Sequence, residues 1–439
     1  MGYPFEITEH VIEGQHIREY PRATATQDVA LKLCIKQYTP ITNTSPQPGD
    51  VTIIAAHGTG YPKELYEPLW EDLLAEAEKK GVRIRSIWMA DAANQGASGI
   101  LNENHLGNDP SSYDHSRDII HMINCFRDQM PQPIMGMGHS LGAVQILFAS
   151  LFHPRLFASL IFIEPYVTED ADVESSVLLL RASTLKRDLW SSRATAIEKS
   201  QKVFKSWDPR VLDRWCDVGY RELPTTIYPT SPEQTSKDAT PPVTLATTKY
   251  QEATMYTRLN TRRHIQLGLS DREAHSGHNS STSSPPHDPL EVPDMVGVLF
   301  PGQQVYRPEI ILAAKMVPHL RPSVLYVSGT GSPLYRAGVP EKLTRNTGTG
   351  FSGSGGMRYS RVRHVVIGGA GHSLPQEKVG LVAQAVAEWV EQEGRRWQED
   401  KTKIDRAWEG RSTREKSMFP LEWMEVMDNL PRFKVPSKI

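Results

Sequence analysis

The chain has 439 residues, enough to bury a large core, either as one large domain with an insertion or as two domains. Its 49 Lys and Arg against 51 Asp and Glu leave a formal net charge of −2, with the signs interspersed, which argues against nucleic acid or an anionic membrane as a partner. Cys34, Cys125 and Cys216 are odd in number and far apart, which argues against a disulfide framework or a zinc site and fits a reducing compartment. No window approaches the ~20 apolar residues of a membrane span. Residues 1–14 lack a basic stretch followed by an apolar one, so a soluble, non-secreted protein is expected.

Val51 to Ala56 is apolar and β-branched, which predicts a strand, and it ends in His57-Gly58-Thr59-Gly60. Lys63 to Lys80 carries Leu65, Leu69, Leu73, Leu74 and Ala77 as a helical stripe, and Val82 to Met89 follows as a strand. Pro133 to Met137 is a short apolar strand that runs into Gly138-His139-Ser140-Leu141-Gly142. Beyond it Leu141, Ala143, Val144, Leu147, Phe148 and Leu151 recur at helical spacing. Strand, Gly-x-Ser-x-Gly and helix in that order are the pattern of a nucleophile elbow, in which a serine sits on a tight turn. Leu160 to Ile163 predicts the next strand and delivers Glu164 at its end. Strands alternating with helices imply a parallel sheet covered on both faces. The expected class is α/β: an α/β-hydrolase fold with a mostly parallel central sheet and a largely helical cap insertion.

After Tyr166 the rhythm changes. Asp172 to Trp215 reads as helices with Leu178, Leu185, Leu189, Ile197, Val203, Phe204, Leu212 and Trp215 as an apolar surface. Ser270 to Pro293 is rich in Ser, Pro and His and predicts a flexible loop, in which His275, His278 and His287 lack the spacing of metal ligands. Strands resume at Ser323 to Val327 and Val362 to Ile367, separated by a Gly/Ser/Thr-rich loop at Thr344 to Gly356. An amphipathic helix is expected over Gln376 to Glu391. The expected domains are therefore residues 1–167 and 319–394 as the two parts of a core, 168–318 as the cap, and 395–439 as an extension. Its apolar patch near Met418-Phe419 is expected to dock on the body or on a second subunit, making a homodimer.

A serine hydroxyl needs a histidine to take its proton and a carboxylate to orient that imidazole. Ser140 is the candidate nucleophile. His372, in the Gly-rich run Gly368 to Pro375 after the last strand, is the candidate base, whereas His364 falls inside the strand and reads as a packing residue. The strand Ser323 to Val327 is followed by Ser328-Gly329-Thr330-Gly331-Ser332-Pro333-Leu334-Tyr335, which holds no carboxylate. One strand earlier stands Glu164, the candidate acid, with an ion pair to a cap residue such as Arg181 as the competing reading. The oxyanion donors are expected from the backbone amides of Leu141 and Thr59, with Gly60 second to Thr59. No metal or redox cofactor is implied.

The blocks Gln15 to Pro21, Lys63 to Trp70, Leu106 to Pro110 and Gly138 to Gly142 resemble a fungal α/β-hydrolase family, and Lys186 to Trp190 and Trp207 to Leu212 extend the likeness into the cap. That family includes the peroxisomal acyl-CoA thioesterase of mycophenolic acid biosynthesis and hydrolases of host-selective-toxin clusters. The resemblance implies a small-molecule acyl-CoA substrate, a Ser140, Glu164, His372 triad, and peroxisomal import through a receptor for Ser437-Lys438-Ile439. It also implies an aspartate where Glu164 stands and an asparagine where Thr59 stands. An ester or lactone hydrolase with the same triad, and more remotely a non-catalytic ligand-binding protein, remain alternatives.

Overall fold

The computed structural model describes residues 2–169, 173–229, 240–259 and 305–431. The expected flexible segment at 270–293 and the terminal residues 437–439 lie outside the described residues.

Six strands precede the cap: β1 (Phe5–Glu13), β2 (Lys32–Pro40), β3 (Val51–Ala56), β4 (Ile84–Ala90), β5 (Ile134–His139) and β6 (Ser159–Ile163). The cap contributes β7 (Leu189–Trp190), β8 (Tyr220–Glu222), β9 (Val243–Leu245), β10 (Arg258–Leu259) and β11 (Val305–Tyr306). The core then resumes with β12 (Ser323–Gly329) and β13 (Val362–Ile367). The main sheet has eight strands in the order β1-β2-β4-β3-β5-β6-β12-β13. Its β1–β2 and β2–β4 pairs are antiparallel and every later pair is parallel.

Strands β3, β5, β6 and β12 are buried at every position, as strands covered on both faces at the centre of a parallel sheet are. The β1–β2 hairpin is the part of the sheet that local pattern did not announce. β1 lies largely exposed at the sheet edge, with Ile7 and Val11 turned to solvent, so its apolar residues do not mark one buried face.

Helices α1 (Glu67–Lys79), α2 (Gly96–Leu101), α3 (Ser112–Cys125) and α4 (Leu141–Phe152) connect the core strands. Leu69, Trp70 and Leu73 of α1 join Val382, Val386 and Trp389 of the helix Val379–Trp408 in one buried cluster. Ile119 and Met122 of α3 join Val144 and Leu147 of α4 in the other. The helix Val379–Trp408 runs well past the expected Glu391 because its later residues are good helix formers tied by charge pairs such as Lys401–Asp405. Two compact units divide the chain, Met1–Gly394 and Arg395–Ile439.

The cap holds α5 (Val173–Leu185), α6 (Arg193–Val203), α7 (Pro209–Val218) and α8 (Lys249–Tyr256), together with a small sheet in the order β7-β9-β8. Its apolar centre differs in part from the expected one: Trp215 is buried as expected, but Leu178, Leu185, Leu189 and Val203 are exposed, and Trp190 and Val211 are buried in their place. Aromatic stacking explains the difference, since Phe204 and Trp207 lie 4.0 Å apart at 15° and Trp215 meets both edge-on.

Candidate active site

The parallel strands all end on one side of the sheet, and each brings one piece of chemistry there: His57-Gly58-Thr59-Gly60 after β3, Ser140 after β5, Glu164 after β6, Gly329 at the end of β12, and His372 beyond β13. Ser140 joins β5 to α4 at φ 54° and ψ −119°, a conformation unfavourable for a residue with a side chain. Its N–H donates to the Ile163 carbonyl at 3.0 Å and its own carbonyl accepts from Tyr166 N–H at 3.2 Å, which holds the turn. A Cβ on Gly138 would lie 2.5 Å from the Ala143 backbone, and one on Gly142 would lie 2.3 Å from the Ala56 carbonyl oxygen. The two glycines of the motif are thus required by backbone packed against backbone.

Ser140 Oγ lies 2.8 Å from His372 Nε2, and His372 Nδ1 lies 3.2 Å from Glu164 Oε2. The other carboxylate oxygen of Glu164 accepts the Gly329 N–H at 2.6 Å. The position after β12 therefore supplies a backbone amide that holds the carboxylate of the neighbouring strand. Both oxygens of Glu164 are engaged by the core, not by a cap arginine. Ser140 and Glu164 are buried, whereas the His372 side chain keeps 24% of its surface exposed. The His372 loop is fastened by Gly371 N–H to Glu377 Oε2 at 2.7 Å, Gly369 N–H to Thr330 Oγ1 at 3.0 Å and Gly331 N–H to the Ala370 carbonyl at 2.8 Å.

In the loop after β3, Gly58 N–H donates to the Tyr66 hydroxyl at 2.8 Å and Gly60 N–H to Gln95 Oε1 at 2.7 Å. Among the described residues the Thr59 amide has no such partner, and neither does that of Leu141 at the start of α4. The Gly60 amide is thus already engaged by Gln95. His57 Nε2 accepts the Ala92 N–H at 2.9 Å, so the proton sits on Nδ1, which donates to the Gly58 carbonyl at 2.9 Å; burial pushes its pKa down. Beside this loop the buried Asp91 accepts Lys63 N–H at 3.0 Å and Lys63 Nζ at 2.7 Å, and against its burial the Lys63 ammonium holds its carboxyl below the usual range.

The cap sits over the same loop. A Cβ on Gly60 would lie 2.6 Å from Glu252 Oε2 of α8, and Glu252 is itself bound by Ser183 at 2.7 Å and paired with Lys186. Sequence reasoning did not single out Gln95, Tyr66, Tyr61 or His139. Only His139 carried a local signal, as the residue before Ser140 in the motif.

A model described as the alpha/beta hydrolase family matches residues 53–389. The chain belongs to the alpha/beta hydrolase family. A type I acyl-CoA thioesterase of Penicillium brevicompactum is 37% identical to this hydrolase over 97% of the chain and 96% of that protein. An abhydrolase domain-containing protein of Alternaria alternata is 26% identical over 68% of the chain and 99% of its own length. Among solved structures, the peroxisomal alpha-beta-hydrolase Lpx1 of Saccharomyces cerevisiae superposes with a TM-score of 0.63 over 97% of this chain and 96% of that one. At 17% identity it shares the fold.

Proposed function

We propose that this hydrolase cleaves an acyl-CoA thioester to the free acid and CoA by a Ser140–His372–Glu164 triad, on an intermediate of a fungal secondary-metabolite pathway. The observation that carries the reading is the continuous hydrogen-bonded line from Ser140 Oγ through His372 to Glu164. Identity of 37% with a type I acyl-CoA thioesterase over nearly the whole of both chains supports the thioester as substrate.

In the first half-reaction Ser140 Oγ attacks the thioester carbon as its proton passes to His372 Nε2, and the N–H groups of Leu141 and Thr59 hold the oxyanion. Collapse of the tetrahedral adduct breaks the C–S bond, and the CoA sulfur takes the proton from His372 and leaves as thiol, which returns the imidazole to its neutral form. Water then gives a proton to His372 and attacks the acyl-enzyme, and as the C–O bond to Ser140 breaks His372 returns that proton to Ser140 Oγ and the acid departs. Glu164 accepts from His372 Nδ1 throughout and keeps Nε2 facing the serine. The cap selects the acyl group, and Ser437-Lys438-Ile439 directs the protein to the peroxisomal matrix.

Free-thiol release from a panel of acyl-CoAs, measured beside matched simple esters, tests the reading. The wild-type protein is expected to turn over acyl-CoA and Ser140→Ala to lose at least roughly a thousandfold in kcat. Turnover of esters with none of any acyl-CoA would overturn the thioesterase assignment.

A further inference from the structure

His139, the residue before the nucleophile, is buried, with its ring centroid 5.7 Å from that of His372. Its Nε2 lies 3.0 Å from the His372 carbonyl and its Nδ1 lies 2.7 Å from the Tyr66 hydroxyl. A carbonyl only accepts, so Nε2 must carry the proton. Burial, with the neighbouring His372, pushes the His139 pKa down to about 3, so Nδ1 is a bare lone pair near neutral pH. The Tyr66 hydroxyl therefore donates to Nδ1, while its oxygen accepts the Gly58 N–H at 2.8 Å. Every donor and acceptor direction in this row is then determined: Gly58 N–H to Tyr66, Tyr66 O–H to His139, His139 N–H to the backbone of His372.

The two ends of the row are the loop that presents the Thr59 amide and the loop that presents the base, which arise from β3 and β13, well apart in the sheet order. A second tie runs alongside. Tyr61 stacks on the His139 ring at 5.5 Å and 25°, and its hydroxyl lies 2.7 Å from Ser373 Oγ. On the reading that Ser140 and His372 do the chemistry, we propose that Tyr66 and His139 are positioning residues that hold the oxyanion amides and the base in register with each other. Their hydrogen bonds go to the two loops, and none of them goes to Ser140 Oγ or His372 Nε2. Their work is to keep the transition-state geometry, where a misplacement of about 1 Å costs on the order of a hundredfold.

Such a role predicts a loss in kcat with KM held, because the groups that bind the substrate are untouched. Tyr66→Phe, His139→Leu, His139→Gln and the Tyr66→Phe/His139→Leu double variant are assayed as full-length protein. Active sites are counted by labelling with a fluorophosphonate, so that unfolded molecules drop out of the rate. Tyr66→Phe is expected to lower kcat roughly tenfold and His139→Leu roughly a hundredfold, with KM within about twofold of wild type. His139→Gln retains an N–H for the His372 carbonyl and is expected to recover most of the His139→Leu loss. The double variant is expected to be no slower than His139→Leu alone, since one row is broken once.

Rates per labelled site within about twofold of wild type would overturn the proposal, as would losses that multiply in the double variant or a KM that rises as kcat falls. Ser140→Ala, run in parallel, tests the parent reading separately. If it is inactive and unlabelled while the row variants are unaffected, only the positioning role fails; if it still turns over, the nucleophile assignment itself fails.

Discussion

Glu164 reaches His372 with two methylenes from a backbone held at φ 48°. The family resemblance implies an aspartate there, and the longer side chain is accommodated because its second oxygen rests on the Gly329 amide at the end of the adjacent strand. Shortening it in Glu164→Asp withdraws the carboxylate by about one bond length and is expected to lower kcat roughly ten- to a hundredfold. Glu164→Gln is expected to cost about a thousandfold or more by favouring the wrong imidazole tautomer. Steady-state kcat on an acyl-CoA checks both. A second residue-scale effect concerns pH. Burial pushes His115 and His139 down to about 3 from 6.5, and among the described residues neither His115 ring nitrogen has a hydrogen-bond partner. Their folded pKa values lie below the unfolded one, so their contribution to stability is whole above about 6.5 and is lost as pH falls toward about 3. Asp114, raised by burial from 3.8 to about 6, runs the other way, with a contribution lost as pH rises through about 6. The urea midpoint of the wild type is expected to fall across the acid window, and His115→Phe to make that acid limb shallower.

At the scale of elements, the elbow is a contact between three of them: β5, α4 and the end of β3. Gly142 is the point where α4 meets β3, and a methyl group there would overlap the Ala56 carbonyl oxygen. Neither backbone can retreat without breaking the sheet or the helix. Gly142→Ala is therefore expected to destabilise the fold by about 3 kcal/mol, measured by urea unfolding, and to cost kcat in addition by moving the Leu141 amide. The cap illustrates the reverse case. Its helices were legible from their periodicity, and so were Phe204 and Trp215 as apolar residues, but Trp207, which stacks on Phe204 outside the helices, was not part of that spacing.

For the whole molecule, the proposed peroxisomal address is Ser437-Lys438-Ile439, and on that proposal it acts apart from the chemistry. Removing residues 437–439 from a fluorescently tagged chain is expected to shift it from peroxisomes to the cytosol while leaving kcat within about twofold of the full chain. An unchanged distribution would remove the peroxisomal assignment without touching the catalytic one.

The central strands, the serine on its tight turn and the glycines around it were set by consecutive residues, because backbone sterics and apolar periodicity act within a few positions of one another. The late Gly-rich loop with His372 was legible for the same reason. Which carboxylate stands beside that histidine was only narrowed by the missing acid after β12. The carboxylate's two partners come from residues 165 and 208 positions away. The same holds for Gln95, which takes the Gly60 amide, and for Tyr66 and His139, which join two loops. Hydrogen bonds between residues distant in sequence leave no local pattern, and the tertiary structure alone decides them.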